Sequence, residues 1–124
     1  MAETTVAKNE PNLVAMFFDQ AAKKGDLPFL WAKKDGAYQS VNWSAAARTV
    51  EALVEGLKSA GVKLGDRVVL VSENRPEWLM IDMAIMAVGA ITVPAYTTNT
   101  TADHVHILSD SGAVGVIVSN DRLA

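Results

Sequence analysis

The apolar positions of this chain change their period several times, and each change marks an element. Leu13, Val14, Phe17, Phe18 and Ala21 recur at helical spacing behind Asn12, a good N-cap, and Lys23, Lys24 and Gly25 close the helix. The two lysines suit the negative end of the helix dipole. Phe29 to Ala32 and Ala37 to Val41 flank Lys33-Lys34-Asp35-Gly36, and Asp-Gly between short apolar runs predicts a β-hairpin because both turn residues tolerate positive φ. Ala46, Val50, Leu53, Val54, Leu57 and Ala60 form the stripe of a second helix, which starts near Asn42 and stops at Gly61.

Beyond Gly65-Asp66 the stripes give way to continuous runs. Val68 to Val71 reads as a strand, and Asn74 with Glu77 has capping-box spacing around Pro76, which fits a first helical turn. A helix from Pro76 to Val88 then ends at Gly89, and Ala90 to Ala95 reads as the next strand. Thr100 and Asp103 start a further helix that Ser111-Gly112 ends, Val114 to Val118 reads as a third strand, and Asp121 looks like the cap of one more helix. Runs without alternation mark strands covered on both faces, so the β-α-β-α-β order predicts a parallel sheet with right-handed crossovers. The expected fold is α/β: an N-terminal helix and β-hairpin followed by a Rossmann-like parallel half sheet, an incomplete part of a larger domain, because the last strand lacks a covering helix.

One stretch, Trp78 to Tyr96, is as long as a membrane span and holds a single charge, Asp82. An aspartate inside a span costs about 2.5–3.5 kcal/mol, and Gly89 and Pro94 interrupt the stretch where Met, Ala and Leu give way to Ile91, Thr92 and Val93. The stretch therefore reads as a buried helix followed by a strand, with no transmembrane span. At 124 residues, half of them apolar, with a mean hydropathy of +0.17, the chain has material for one domain with a core. Eleven Lys and Arg against fourteen Asp and Glu, a net charge of −3, give no basic footprint for nucleic acid. Without cysteine there is no thiol nucleophile, disulfide or thiolate metal site. Residues 1–11 are polar and expected to be flexible, and the absence of an apolar leader core there gives the cytoplasm as the expected compartment.

Candidate chemistry is sparse. His104 and His106 lie two apart on a predicted helix, so they face opposite ways and do not suit a shared metal. None of the serines stands in a Gly-x-Ser-x-Gly elbow. The loop Ser72-Glu73-Asn74-Arg75-Pro76 lacks both the glycines of a dinucleotide turn and a Walker lysine. Arg75 between Glu73 and Glu77 reads as an exposed ion-pair network, and Asp66-Arg67 reads similarly. Trp31, Trp43 and Trp78 read as core or interface anchors, and Met80, Met83 and Met86 as core. Open parallel sheets bind ligands beyond their strand carboxyl ends. There Tyr96, Thr97 and Asn99 offer hydroxyl and amide groups, and turn packing is the competing use for them.

The ordered set Val41-Asn42-Trp43, Leu53 to Gly61, Gly65-Asp66-Arg67-Val68, Ser72-Glu73-Asn74-Arg75-Pro76-Glu77-Trp78, Ala87 to Pro94 and Ile107-Leu108-Ser109-Asp110-Ser111 resembles the amino-terminal region of AMP-forming acyl-CoA synthetases. These belong to the adenylate-forming superfamily, and the Ser72 to Trp78 and Val93 to Thr97 segments look most like its long-chain fatty acid branch. The resemblance implies that residues 1–124 are the amino-terminal portion of the large AMP-binding domain. The activity it implies is an ATP- and Mg²⁺-dependent activation of a fatty acid to an acyl-adenylate, then transfer to CoA. The family's phosphate loop, nucleotide motifs and carboxy-terminal lysine have no counterpart in this sequence. No catalytic residue, cofactor-binding residue or metal ligand is therefore carried over, and the chain alone is expected to bind no cofactor and to be inactive. Asn42 with Ala45 departs from the Thr and Glu that the family often has at that helix start, leaving a single cap. Peripheral membrane contact and a homodimer stay open, as do two rivals: a stand-alone nucleotide- or CoA-binding module and an interaction module.

Overall fold

Asn12 opens the first element of the structure, a computed structural model that describes residues 12–124; the expectation of flexibility for 1–11 lies outside the described residues. Its side-chain oxygen accepts the Ala15 N–H at 2.8 Å, and α1 (Leu13–Lys24) runs to Gly25, whose φ of 47° and N–H bond to the Ala21 carbonyl end it. Phe17 and Ala21 are the buried positions of the predicted stripe.

β1 (Pro28–Lys34) and β2 (Ala37–Asn42) pair antiparallel around a two-residue turn, Asp35-Gly36, with φ of 52° and 80°. Positive φ at both positions is what the twist of a tight hairpin demands, and Asp-Gly supplies it cheaply. The register slips between Pro28 and Leu30. Phe29 joins the aromatic centre of this part, with its ring centroid 3.9 Å from that of Trp43 and 5.6 Å from that of Phe17. Trp43 is thus an anchor as expected, with Lys24 Nζ 5.5 Å from its ring centroid. Trp31 is not, since it stands on the exposed face of the hairpin, while Trp78 is half-buried. Asn42 caps α2 (Trp43–Ser59) by accepting the Ala45 N–H at 2.7 Å, so the single cap expected there is present.

The chain divides after Thr49 into a first unit, just described, and a second, 50–124. In the second, Gly61 and Gly65 take positive φ and lead into β3 (Arg67–Val71), α3 (Pro76–Ala87), β4 (Ile91–Ala95), α4 (Thr101–Ser111), β5 (Gly115–Val118) and a 3-10 turn, Asp121–Leu123. The three strands form a parallel sheet in the order β4-β3-β5. Val68, Val69, Leu70 and Val71 of the central strand are all buried, as a strand covered on both faces requires. That reading fails for the other two. β4 and β5 are the edges of this sheet among the described residues, and Ile91 is 53 % and Val116 47 % exposed. Pro94, which cannot donate to a ladder, sits on such an edge.

Val68, Ile85 and Ala90 centre the core of this unit, with Leu57, Val62, Ile81, Val88 and Ile117 around them. Met80 and Met83 are buried as expected, and Met86 is half-buried. The long apolar stretch resolves into α3 and β4, and no described helix is long and apolar enough to cross a membrane. Three local expectations are corrected. Arg75, not Asn74, is the N-cap of α3, and it makes no side-chain cap bond; Pro76 at the first helical position sets the boundary one residue later than the capping-box spacing implied. Asn120, not Asp121, caps the last turn by accepting the Leu123 N–H at 3.3 Å. Asp66 and Arg67 do not form the expected pair. Asp66 accepts the Lys63 N–H, whereas Arg67 Nε donates to the Ser111 carbonyl at 2.8 Å and its Nη2 to that of Gly112, where α4 leaves carbonyls unsatisfied.

Candidate functional site

The carboxyl ends of β3, β4 and β5 share one edge of the sheet. From the central β3 the chain goes to β4 on one side and returns to β5 on the other, so the β3–β5 junction is a topological switch point, where open sheets form ligand crevices. A cleft of about 210 Å³ lies there. Leu70, Ile81 and Ile117 give it an apolar floor, and Ser72, Arg75, Glu77 and Ser119 a polar rim.

The rim is tied together across the two loops. Ser119 Oγ donates to Glu73 Oε2 at 2.7 Å, its N–H donates to the Val71 carbonyl, and Ser72 Oγ donates to the Glu73 carbonyl at 2.9 Å. Arg75 Nε lies 2.9 Å from Glu77 Oε1 and its Nη1 3.7 Å from Glu73 Oε1, the exposed network expected from the sequence. The Ser119 hydroxyl, then the backbone N–H of Glu73 itself, hold the Glu73 carboxyl below its ordinary value, with Arg75 and Arg122 adding a smaller pull. Glu73 is therefore a carboxylate at neutral pH.

Tyr96, Thr97 and Asn99 follow β4 at the opposite edge of the sheet and do not line the cleft. Tyr96 is 78 % exposed, and its carbonyl accepts the Asn99 N–H at 3.2 Å to close a turn. The next residue builds a full capping box: Thr100 Oγ1 accepts the Asp103 N–H at 3.2 Å and Asp103 Oδ2 accepts the Thr100 N–H at 3.0 Å. The backbone N–H of Thr100, then its side chain, lower the Asp103 carboxyl from its ordinary value. His104 and His106 both lie on α4, half-buried and exposed respectively.

The sequence reading missed the Glu73–Ser119 bond, which joins residues 46 apart. No local pattern announces it, because only the strand order brings the end of β5 beside the end of β3. The site does not suit a triphosphate or its magnesium. Glu73 and Glu77 flank Arg75, no glycine lets backbone N–H groups approach a phosphate in that loop, and the described residues hold no group of three metal-ligating side chains.

A helix, a hairpin and a parallel sheet in the order β4-β3-β5 define a mixed α/β fold, and the comparisons with known proteins name its family. The profile described as AMP-binding enzyme matches residues 17–124, and the chain belongs to that family. It is 38 % identical over 123 residues to the long-chain-fatty-acid–CoA ligase FadD15 of Mycobacterium tuberculosis, an alignment that covers 99 % of this chain and 20 % of the ligase. It is 41 % identical over 63 residues to the peroxisomal long chain acyl-CoA synthetase 7 of Arabidopsis thaliana, covering 51 % of this chain and 9 % of that protein. The chain thus spans about a fifth of the length of FadD15. Among solved structures, the N-terminal subdomain of Klebsiella oxytoca NpsA in complex with 3-hydroxyanthranilyl-AMSN superposes with a TM-score of 0.79 at 22 % identity, over 88 % of this chain and 27 % of that one. That likeness bears out the expected α/β fold.

Proposed function

We propose that residues 1–124 form the amino-terminal portion of the large domain of an ATP-dependent, AMP-forming acyl-CoA ligase acting on a long-chain fatty acid. The observation that carries this reading is the 38 % identity to FadD15 over 99 % of the chain. In such an enzyme ATP, Mg²⁺ and CoA are held by other segments, since the residues here make no phosphate cradle. This chain supplies a scaffold: a central strand buried on all sides of Leu70, and a strand-end edge against which a ligand site is assembled. Tyr96, Thr97 and Asn99 are the polar groups it presents there.

Replacing the matched residues of FadD15 by this chain tests the reading. The chimera should form acyl-CoA from palmitate, ATP and CoA, and a folded chimera that forms none refutes it. Within that chimera, Tyr96→Ala or Asn99→Ala should lower kcat/KM about tenfold at an unchanged melting temperature, a change of about 1.4 kcal/mol in transition-state binding. The switch-point cleft favours a second reading, a small nucleotide- or CoA-binding module that works on its own. Micromolar binding of AMP or CoA by the 124-residue chain in calorimetry, lost in Arg75→Ala at the cleft rim, supports that alternative, and the absence of heat removes it.

A further inference from the structure

The hydroxyl protons at the switch-point cleft are already committed, and that decides what the cleft can receive. A serine hydroxyl has a single proton and two lone pairs. Ser119 Oγ gives its proton to Glu73 Oε2 at 2.7 Å, and Ser72 Oγ gives its own to the Glu73 carbonyl at 2.9 Å. Neither bond can run the other way, because a carboxylate and a carbonyl carry no proton to donate. Both rim serines therefore keep only lone pairs for a ligand. The side-chain donor that lines the cleft is Arg75, and carboxylates hold it from two directions, Nε 2.9 Å from Glu77 Oε1 and Nη1 3.7 Å from Glu73 Oε1.

Charge points the same way. Two carboxylates flank the one guanidinium, and Arg122 acts on Glu73 less than Arg75 does. The positive end of α3 lies at this edge and would favour an anion, yet Pro76 brings no N–H, the Trp78 N–H goes to the Arg75 carbonyl, and Glu77 already supplies negative charge in the first turn. An anionic ligand is thus repelled by Glu73 and Glu77, whereas a cation is drawn to them and finds acceptor hydroxyls alongside. Beneath the rim the floor is apolar, formed by Leu70, Ile81 and Ile117. A bare metal ion gains nothing from such a floor, and the described residues hold no group of three metal-ligating side chains. A cavity of about 150 Å³ takes up benzene. The cleft, at about 210 Å³, has room for a single ring with a short polar tail.

We propose that the switch-point cleft binds a small primary amine in its ammonium form, with an apolar ring or short chain on Leu70, Ile81 and Ile117 and its N–H groups donating to Ser72 Oγ and Ser119 Oγ beside the Glu73 carboxylate. Backbone amide shifts of the isotope-labelled 124-residue chain, followed by NMR in titrations with phenethylammonium, phenylpropionate and AMP, test the proposal. The ammonium should saturate with a Kd of about 1 mM, as suits a ligand of so few atoms, and shift Ser72, Arg75 and Ile117 to Ser119. Phenylpropionate, similar in shape and opposite in charge, should bind about tenfold more weakly or worse. Ser119→Ala should weaken the ammonium about fivefold while the rest of the spectrum stays in place, and Ser119→Thr, which keeps the hydroxyl, should restore it. Glu73→Gln keeps an acceptor for Ser119 and loses the charge, so it should narrow the preference for ammonium over carboxylate about fivefold. Failure of the ammonium to saturate, equal binding of the two phenyl ligands, unchanged affinity in Ser119→Ala, or shifts confined to other surfaces each overturns the proposal. Tighter binding of AMP than of the ammonium also overturns it and assigns the cleft to a nucleotide. The titrations involve no fatty acid, CoA or turnover, so their failure leaves the ligase reading standing, and failure of the ligase reading leaves the cleft to be judged by its own titrations.

Discussion

Leu70 is the residue whose loss the sheet should feel most. It is fully buried in the middle of the central strand, with Pro94 on one neighbouring strand and Ile117 on the other at its register. Leu70→Ala removes three carbons, and at about 0.8 kcal/mol per buried carbon the transfer contribution alone is about 2.4 kcal/mol. The cavity left in a strand pinned from both sides raises the total to about 3–4 kcal/mol. That is a large part of the stability of about 5–15 kcal/mol that a domain of this size possesses. Urea unfolding followed by circular dichroism measures it. With a slope of about 1.5 kcal/mol per M, the midpoint should fall by about 2 M. Val116→Ala on the edge strand β5 is the control: this side chain is 47 % exposed, and its truncation should cost less than about 1 kcal/mol. The reasoning is refuted if the two variants lie within about 1 kcal/mol of each other, for the sheet would then not have β3 at its centre.

Three further outcomes are expected. Phe17→Ala should cost about 3–5 kcal/mol in the first unit and abolish the near-ultraviolet signal of Trp43, whose ring centroid lies 6.1 Å from that of Phe17. Thr100→Ala, which removes the acceptor for the Asp103 N–H, should cost about 1 kcal/mol, read as a lower urea midpoint, and Thr100→Ser should restore most of it. The pH response of the same cap has a definite sign. The Asp103 carboxyl is lowered in the folded chain from its ordinary 3.8, so the unfolded chain binds the proton more readily. The cap's contribution is complete above about pH 4–5 and is lost as pH falls through the lowered folded value. Asp103→Asn should flatten that part of the midpoint-against-pH curve, and a curve identical to that of the parent chain would contradict the assignment.

Element order was legible because each boundary carried its own chemical mark: Asn12 and Thr100 as caps, Asp35-Gly36 as a hairpin turn, Gly112 as a left-handed stop. Where two marks competed, the local reading slipped by one residue. Asn74 had the right side chain for a cap, but Pro76 fixed the helix start and left Arg75 at the cap position. Burial was harder to read than order. Val68 to Val71 and Val116 to Val118 are similar aliphatic runs, yet one is central and the other an edge, a difference set by which strands they meet. The same lack of long-range information hid the switch-point cleft. Its rim joins Glu73 to Ser119 and its floor joins Leu70 to Ile117, pairs that only the strand order brings together. Arg67 shows the limit for charges as well. Beside Asp66 it looked like half of an ion pair, while its guanidinium in fact serves the carbonyl end of α4.

The family assignment rests on segments spread over the chain, and the ligase reading asks that they act as part of a larger catalytic domain. The measurement that tests this most directly is palmitate-dependent exchange of labelled pyrophosphate into ATP, run side by side on the FadD15 chimera carrying this chain and on the 124-residue chain alone. Exchange by the chimera and none by the chain alone is the predicted result. A folded chimera without exchange, or exchange by the isolated chain, contradicts the account.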